Sequence, residues 1–392
     1  MYNRKPVRDN FLVFGNPLIK EAEIKEVEKT LLSGWLGTGP KVARFEDNFR
    51  KYKGAEYAIA VSSCTAALHL SMLACGFLPG DEIITTPMTF CATANAIIHA
   101  GCRPVFADCE KESMNISPEE IEKKITLRTK AILPVHFAGR PCKMDAIMNI
   151  AQQHHLRVIE DCAHAIETEY HGKKVGTFGN LGCFSFYVTK NVVTGEGGMV
   201  ITNNEVYAEK IKILALHGMS KDAWKRFSDE GFKHYQVIYC GYKYNMTDIQ
   251  ASLGIHQLQR VKKNWQRRLQ IWKQYNEAFK DLPVFIPSPF EKDTLHGLHL
   301  YTLLLDLKRL KVGRDFIVNA LVKENIGIGV HYIALHLHPY YRTTYGFKLC
   351  DFPNAEWISE RTISLPFSAK LCDKDVNDVI RAVGKVIDYY KR

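Results

Sequence analysis

Residues 57–76 read YAIAVSSCTAALHLSMLACG, and this stretch decides the fold class. Tyr57 to Val61 form a short apolar run of strand type, and the hydroxyl pair Ser62 and Ser63 then opens an apolar helix that stops at Gly76. The same alternation recurs in EIITTP (82–87), TFCATANAIIHAG (89–101), RPVFAD (103–108), SPEEIEKKI (117–125), TKAILPVHF (129–137), KMDAIMNIAQQHH (143–155) and LRVIED (156–161). Strands and helices alternating at this spacing predict βαβ units and a mostly parallel sheet. Parallel neighbours need crossovers, and crossovers bury both faces of the sheet.

On the N-terminal side, Ile19 to Leu32 and Val42 to Tyr52 have helical periodicity, and Gly34 is a stop signal after the first. On the C-terminal side, GCFSFYV and GGMVITN within residues 181–202 predict two strands around a polar loop. Met246 to Phe279 predicts one long amphipathic helix leading to a second domain. Within that domain, LHLYTLLLDL (298–307) and IGVHYIAL (328–335) predict strands, while RDFIVNALVKENI (314–326) and Asp373 to Tyr390 predict helices. The expectation is an α/β chain. Residues 1–250 form a large domain with an N-terminal arm, and residues 251–392 supply a bridging helix and a smaller α+β C-terminal domain. A length of 392 residues is too great for one ordinary core, in keeping with two domains.

Composition removes several function classes. An apolar fraction of 46% with 24% charged residues is that of a water-soluble globular protein. No apolar stretch approaches the roughly 20 residues of a membrane span, and MYNRKPVRDNFLVFG lacks the apolar core of a signal peptide. Eleven cysteines without a CxxC pair predict reduced thiols and a cytoplasmic protein. The net charge of +10 is spread along the chain. Its densest runs, Arg260 to Lys263 and Arg267 with Arg268, read as a solvated helix face, and no RNP-type motif or zinc-finger spacing accompanies them. Nucleic acid is not an expected partner; a small anionic ligand is compatible with this charge. His331, His336 and His338 lack a matching cysteine or carboxylate set, so no metal site is expected.

The chemistry centres on FSFYVTKNVVTGEGG, residues 184–198. A lysine before a Gly-rich segment serves a tight turn equally well, so Lys190 gains meaning from its company. Pyridoxal phosphate (PLP) chemistry requires a lysine amine that forms an imine and an acid against the pyridine nitrogen. Asp161 ends the apolar strand LRVIED, where ligands of parallel sheets gather; taken alone it reads as a helix N-cap. Ser62 to Ala67, between strand and helix, offer a phosphate cup, with Thr65 and Ala66 as donors and Ser185 as a second hydroxyl. Phe90 has the flat face that stacks on a ring. His164, one turn beyond Asp161 if that segment is helical, would hydrogen-bond the ring hydroxyl or pack on the ring.

The series SSCTAALHL, TFCATANAI, TKAILPVHFAG, VIEDCAHA, CFSFYVTKNVVTGEGG, LHGMS, GYKYNMTDIQASLG and VHYIALH resembles the DegT/DnrJ/StrS family of PLP-dependent sugar-nucleotide aminotransferases, in the family's order from Phe14 to Pro366. The resemblance implies aminotransferase fold type I, with Lys190 as the catalytic Schiff-base lysine and Asp161 as the pyridinium partner. It also implies His164 (Gln in many members) as a ring contact, Phe90 as the stacking aromatic, and Thr65, Ala66 and Ser185 as phosphate ligands. Asn245 in GYKYNM matches an asparagine that reaches the phosphate of the neighbouring subunit's cofactor, which implies a homodimer with shared active sites. Cys64 stands where many members have Gly, and ordinary backbone geometry is expected there.

The implied reaction moves an amino group from L-glutamate to the keto group, at C4 by preference, of a nucleotide-diphosphate keto-sugar. The product is an amino sugar for a surface polysaccharide such as lipopolysaccharide, or for a glycoside. Thr38 and His331 are candidates for the sugar pocket. The alternatives are a sugar dehydratase of the same fold, against which Lys190 argues because related dehydratases carry histidine there, and a non-catalytic PLP or sugar-nucleotide-binding regulator.

Overall fold

The computed structural model describes residues 2, 4–220 and 235–392. In chain order the elements begin with α1 (Glu21–Leu32), α2 (Pro40–Lys53), β1 (Tyr57–Val61), α3 (Cys64–Cys75), β2 (Glu82–Thr85), α4 (Cys91–His99), β3 (Arg103–Phe106), α5 (Pro118–Lys123), β4 (Thr129–Ile132), α6 (Met144–Gln153) and β5 (Arg157–Asp161). The short strands β6 (Glu169–Tyr170) and β7 (Lys173–Lys174) precede β8 (Leu181–Ser185), β9 (Gly198–Thr202) and α7 (Glu205–Ala215). These build a seven-stranded sheet in the order β1-β9-β8-β5-β4-β2-β3. β9 is antiparallel to both neighbours, and the pairs from β8 to β3 are parallel. This is the mostly parallel α/β sheet that the alternation predicted.

Helices cover both faces, so the central strands lack a polar side. On one face Leu68 and Leu70 of α3 pack with Val200 of β9 and Leu214 of α7. On the other, Phe45 and Phe49 of α2 meet Phe184 and Phe186, with Ile255 beside them. Ile255 belongs to α8 (Asp248–Gln259), which is followed by α9 (Val261–Phe279).

The single long helix predicted over Met246 to Phe279 is therefore two. The chain breaks at Arg260 (φ −97°, ψ 0°), whose guanidinium pairs with Glu23 of α1 and donates to the Leu18 carbonyl at 3.3 Å. The basic run is a solvated face only at Lys262 and Lys263, which are exposed. Arg268 pairs with Glu167 and Arg267 with Asp373 at 2.7 Å, so these charges tie α9 to its neighbours. Asp248 in the first turn of α8 caps a different helix. Its carboxylate accepts from the N–H groups of Gly39 (2.8 Å), Lys41 (3.0 Å) and Val42 (3.0 Å), satisfying the start of α2 where the helix dipole favours an anion.

The remaining elements are β10 (Val284–Phe285), β11 (Thr294–Leu295), β12 (Tyr301–Leu305), α10 (Arg314–Lys323), α11 (Pro339–Tyr345), α12 (Pro353–Ser359), β13 (Thr362–Leu365) and α13 (Asp373–Tyr390). β10, β12 and β13 form an antiparallel sheet, and Leu303, Leu305 and Ile363 share a core with Ile271 of α9, Ile317 of α10 and Val383 of α13. The N-terminal arm also packs on this part: Leu12 exchanges backbone bonds with Asn325 and Gly327 (both 2.8 Å), and Arg8 pairs with Asp375 and Asp378 (both 2.9 Å).

IGVHYIAL is not a strand. Only Gly329 pairs, with Ser364, while the amides of Ala334 and Leu335 go to Ser359 Oγ (2.9 Å) and the Pro87 carbonyl (2.8 Å). Within this segment Ala334 and Leu335 are buried while Ile333 is exposed, and the backbone leaves its pairing at Gly329 to reach Ser359 and Pro87. No described helix is long and apolar enough to cross a membrane.

Candidate active site

Because β1, β8, β5 and β4 run the same way, their carboxyl ends share one edge of the sheet. A cavity of about 520 Å³ opens there, lined by Thr65 after β1, Ser185 and Lys190 at and after β8, Asp161 and His164 at and after β5, Phe90 before α4, and His331. Seven of the residues singled out in the sequence thus meet around one space.

Lys190 lies in the turn after β8, with its N–H donating to the Tyr187 carbonyl at 2.8 Å. The side chain opens onto the cavity, yet the protein around it removes water. Burial lowers its pKa to about 8, the opposing influences of Cys64 and Asp161 being smaller. An uncharged, nucleophilic amine is therefore far more available here than on an ordinary surface lysine.

Asp161 is buried at the end of β5. One oxygen accepts from Ala163 N–H (3.1 Å) and the other from the Thr93 hydroxyl (2.8 Å), which lies 2.8 Å from Thr89 Oγ1. Burial raises its pKa despite these donors and the nearby Lys190. A cation on the cavity side would hold it ionised. The Ala163 bond closes a tight turn and no helix follows, so Asp161 is not a helix N-cap and His164 does not lie one helical turn beyond it.

The Gly-rich segment has a packing reason. A Cβ on Gly198 would come within 2.4 Å of the Ser63 carbonyl, so only glycine lets β9 approach the cup beside α3. Within that cup Ser63 is the N-cap of α3 and its Oγ accepts from Ala66 N–H at 3.1 Å. Ala66 is buried and off the cavity, its amide engaged by this cap, whereas Thr65 is exposed to the cavity. Cys64 opens α3 and is absent from the residues of positive φ, the ordinary geometry expected there.

Thr38 and Asn245 do not reach this cavity in their own chain. They lie together in a second groove of about 370 Å³ with Trp35 and Glu46, where Asn245 Nδ2 donates to Thr38 Oγ1 at 2.7 Å. His331 is held by Ser364 Oγ (2.9 Å) and stacks on Phe14 (5.6 Å between ring centres), and burial lowers its pKa to about 4. His164 is likewise driven well below the usual histidine range, chiefly by burial. Thr93 and Tyr332 are among the cavity residues that the sequence did not single out. Thr93 follows Thr89 by four positions, a helical spacing that places both hydroxyls on one side and was there to be read. Tyr332 carries no such signal, standing in an apolar run beside His331.

The donor set fits pyridoxal phosphate. Lys190 is an amine of lowered pKa, Asp161 a buried acid in want of a cation, Thr65 and Ser185 are hydroxyls beside a helix start, and Phe90 is an aromatic 57% exposed at the cavity wall. Fold and site together define a PLP-dependent enzyme of fold type I.

The chain belongs to the DegT/DnrJ/EryC1/StrS aminotransferase family, whose model matches residues 17–384. It is accordingly a PLP-dependent aminotransferase of the class that acts on sugars. It is 50% identical, over 97% of this chain and 98% of the relative, to the spore coat polysaccharide biosynthesis protein SpsC of Bacillus subtilis. Among solved structures it resembles Streptococcus pneumoniae Spr1654 in its PMP form, with 32% identity, a TM-score of 0.91, and 96% of this chain and 99% of that one covered. It also resembles Helicobacter pylori PseC, an aminotransferase involved in the biosynthesis of pseudoaminic acid, with 30% identity, a TM-score of 0.90, and coverage of 97% and 100%.

Proposed function

We propose that this enzyme transfers the amino group of L-glutamate to the C4 keto group of a nucleotide-diphosphate keto-sugar. It would act in the cytoplasm and yield an amino sugar for a surface polysaccharide. The observation that carries the reading is the meeting of Lys190 and Asp161 in one cavity at the carboxyl edge of the sheet. The part of SpsC in spore coat polysaccharide biosynthesis and that of PseC in pseudoaminic acid biosynthesis support the sugar assignment.

When bound, pyridoxal phosphate supplies an aldehyde that condenses with amines and a protonated ring that accepts an electron pair. Lys190 Nζ would hold the cofactor through that carbon and, once displaced by the incoming amino donor, would be the free amine placed to move a proton at the donor's α-carbon as general acid and base. Asp161 would keep the ring nitrogen protonated, Phe90 would cover the ring face, and Thr65 and Ser185 would hold the phosphate at the start of α3. His331 faces the sugar.

The same proposal makes the enzyme a homodimer in which Asn245 and Thr38 serve the partner's site. Exposed Trp35 and Leu36 beside Thr38 in sequence, and Val237, Ile238 and Tyr239 before Asn245, support a surface covered by a second copy. We also divide the chain near residue 250 into a cofactor-binding part and a C-terminal part.

The test combines purified enzyme, PLP and glutamate with UDP-, dTDP- and GDP-linked keto-sugars. The expected result is amination of one of them with formation of 2-oxoglutarate, lost on Lys190→Ala together with the visible band of bound cofactor. A wild-type enzyme that binds PLP but aminates no sugar in the panel overturns the substrate assignment.

A further inference from the structure

His164 and Tyr332 form a hydrogen-bonded pair whose proton positions follow from their neighbours. His164 Nδ1 faces the backbone N–H of Ala138 at 3.3 Å, and a backbone amide can only donate. Nδ1 is therefore the acceptor, and in a ring kept neutral by burial the proton sits on Nε2. Nε2 lies 3.2 Å from Tyr332 Oη, so His164 donates and the tyrosine oxygen accepts. The Tyr332 hydroxyl hydrogen is left to point elsewhere. Among the described residues His164 is the hydroxyl's hydrogen-bond partner, and both side chains line the cavity that holds Lys190. The Tyr332 ring is fixed by Phe90 (6.2 Å), Phe137 (6.0 Å) and the nearly parallel His164 (6.3 Å, 14°), so the donor is preorganised.

The sheet order says what it donates to. In pyridoxal phosphate the ring nitrogen stands opposite the aldehyde carbon, and the phosphate arm and ring oxygen flank that carbon on opposite sides. Thr65 and Ser185 stand at the ends of β1 and β8, while His164 follows β5 and is anchored to Ala138 beyond β4. With nitrogen at Asp161, aldehyde at Lys190 and phosphate toward β1 and β8, the ring oxygen faces the β5–β4 side.

We propose that Tyr332 is the hydrogen-bond donor to the cofactor's ring oxygen, and that His164 is the positioning residue that aims it. The proposal rests on the cavity being the PLP site. It changes the role expected of His164, whose Nε2–H is spent on Tyr332 and not on the ring.

The test is the pH titration of the bound cofactor's visible band. A donor at the ring oxygen withdraws electron density and makes the conjugated nitrogen less basic. Tyr332→Phe should therefore raise the titration midpoint by about one pH unit, the weight of one hydrogen bond. His164→Ala should raise it less, and His164→Gln, which keeps an N–H donor, should return it toward wild type. A Tyr332→Phe midpoint equal to wild type with an intact band overturns the proposal. If that variant holds no cofactor, an unchanged midpoint in His164→Ala overturns it instead. A wild type that takes up no PLP gives no band at all, and sinks the cavity assignment along with the proposal.

Discussion

Glu160 and Asp161 are consecutive buried acids at the end of β5, yet they do opposite work because successive side chains of a strand face opposite sides of the sheet. Glu160 faces the packed side. Its oxygens accept from the N–H groups of Gly176 (2.6 Å), Phe178 (2.8 Å) and Gly179 (2.7 Å), and His136 Nε2 lies 3.1 Å away. Burial alone would raise its pKa, but the His136 contact and the backbone donors outweigh it and hold the carboxyl below its usual range. Cys162 also lies near His136 and Glu160 at metal-ligand range, but with three backbone donors on its oxygens Glu160 is already satisfied as a structural anchor. Asp161, on the cavity side, has two donors and a raised pKa. A satisfied acid organises the fold, and a half-satisfied one is ready for a ligand.

Removing each acid should break different things. Glu160→Ala strands three buried amides and should cost roughly 3–5 kcal/mol of stability, read from denaturant midpoints. The sign of its pH dependence follows from the lowered pKa. Glu160 stabilises the fold above the ordinary carboxyl value of 4.5, and this contribution disappears as pH falls through the folded-state value, so the variant and wild type should converge in acid. Asp161→Asn should instead keep stability within about 1 kcal/mol while lowering the transamination rate roughly 10²–10³-fold, measured by single-turnover absorbance. A large stability loss in Asp161→Asn with activity retained would reverse the assignment.

Lys190 sharpens the same contrast. With its pKa near 8, the rate of PLP uptake by the apoenzyme should rise with pH and level off above about 8; an ordinary lysine would keep gaining to 10.5. The smallest effect is expected of Thr93→Val, which removes one donor from Asp161 and should lower affinity for PLP by about tenfold or less, without moving the denaturant midpoint beyond about 1 kcal/mol.

Much of this was legible in the chain. Asp161, Ser185 and Thr65 fall at strand ends or a helix start and Lys190 in the turn after β8, positions that the apolar alternation places on one edge of a parallel sheet wherever the strands order themselves suitably. Tyr332 was not legible. Its segment has the apolar run of a strand, but the backbone pairs only at Gly329 before its amides turn to Ser359 and Pro87, and an apolar run does not distinguish the two. The Arg260 break was hidden for a similar reason: an amphipathic pattern continues through a residue whose conformation is set by Glu23 and Leu18, more than 200 positions away.

Local chemistry and periodicity were enough to determine that this chain forms a mostly parallel α/β sheet with a lysine and an acid at its carboxyl edge, because both depend on short-range pattern. Only the tertiary structure decided which hydroxyls face the cavity, that Asn245 and Thr38 share a separate groove, and that His164 spends its proton on Tyr332. Those facts depend on strand order and on partners distant in sequence, and hydrogen-bond direction is fixed only when donor and acceptor are brought face to face.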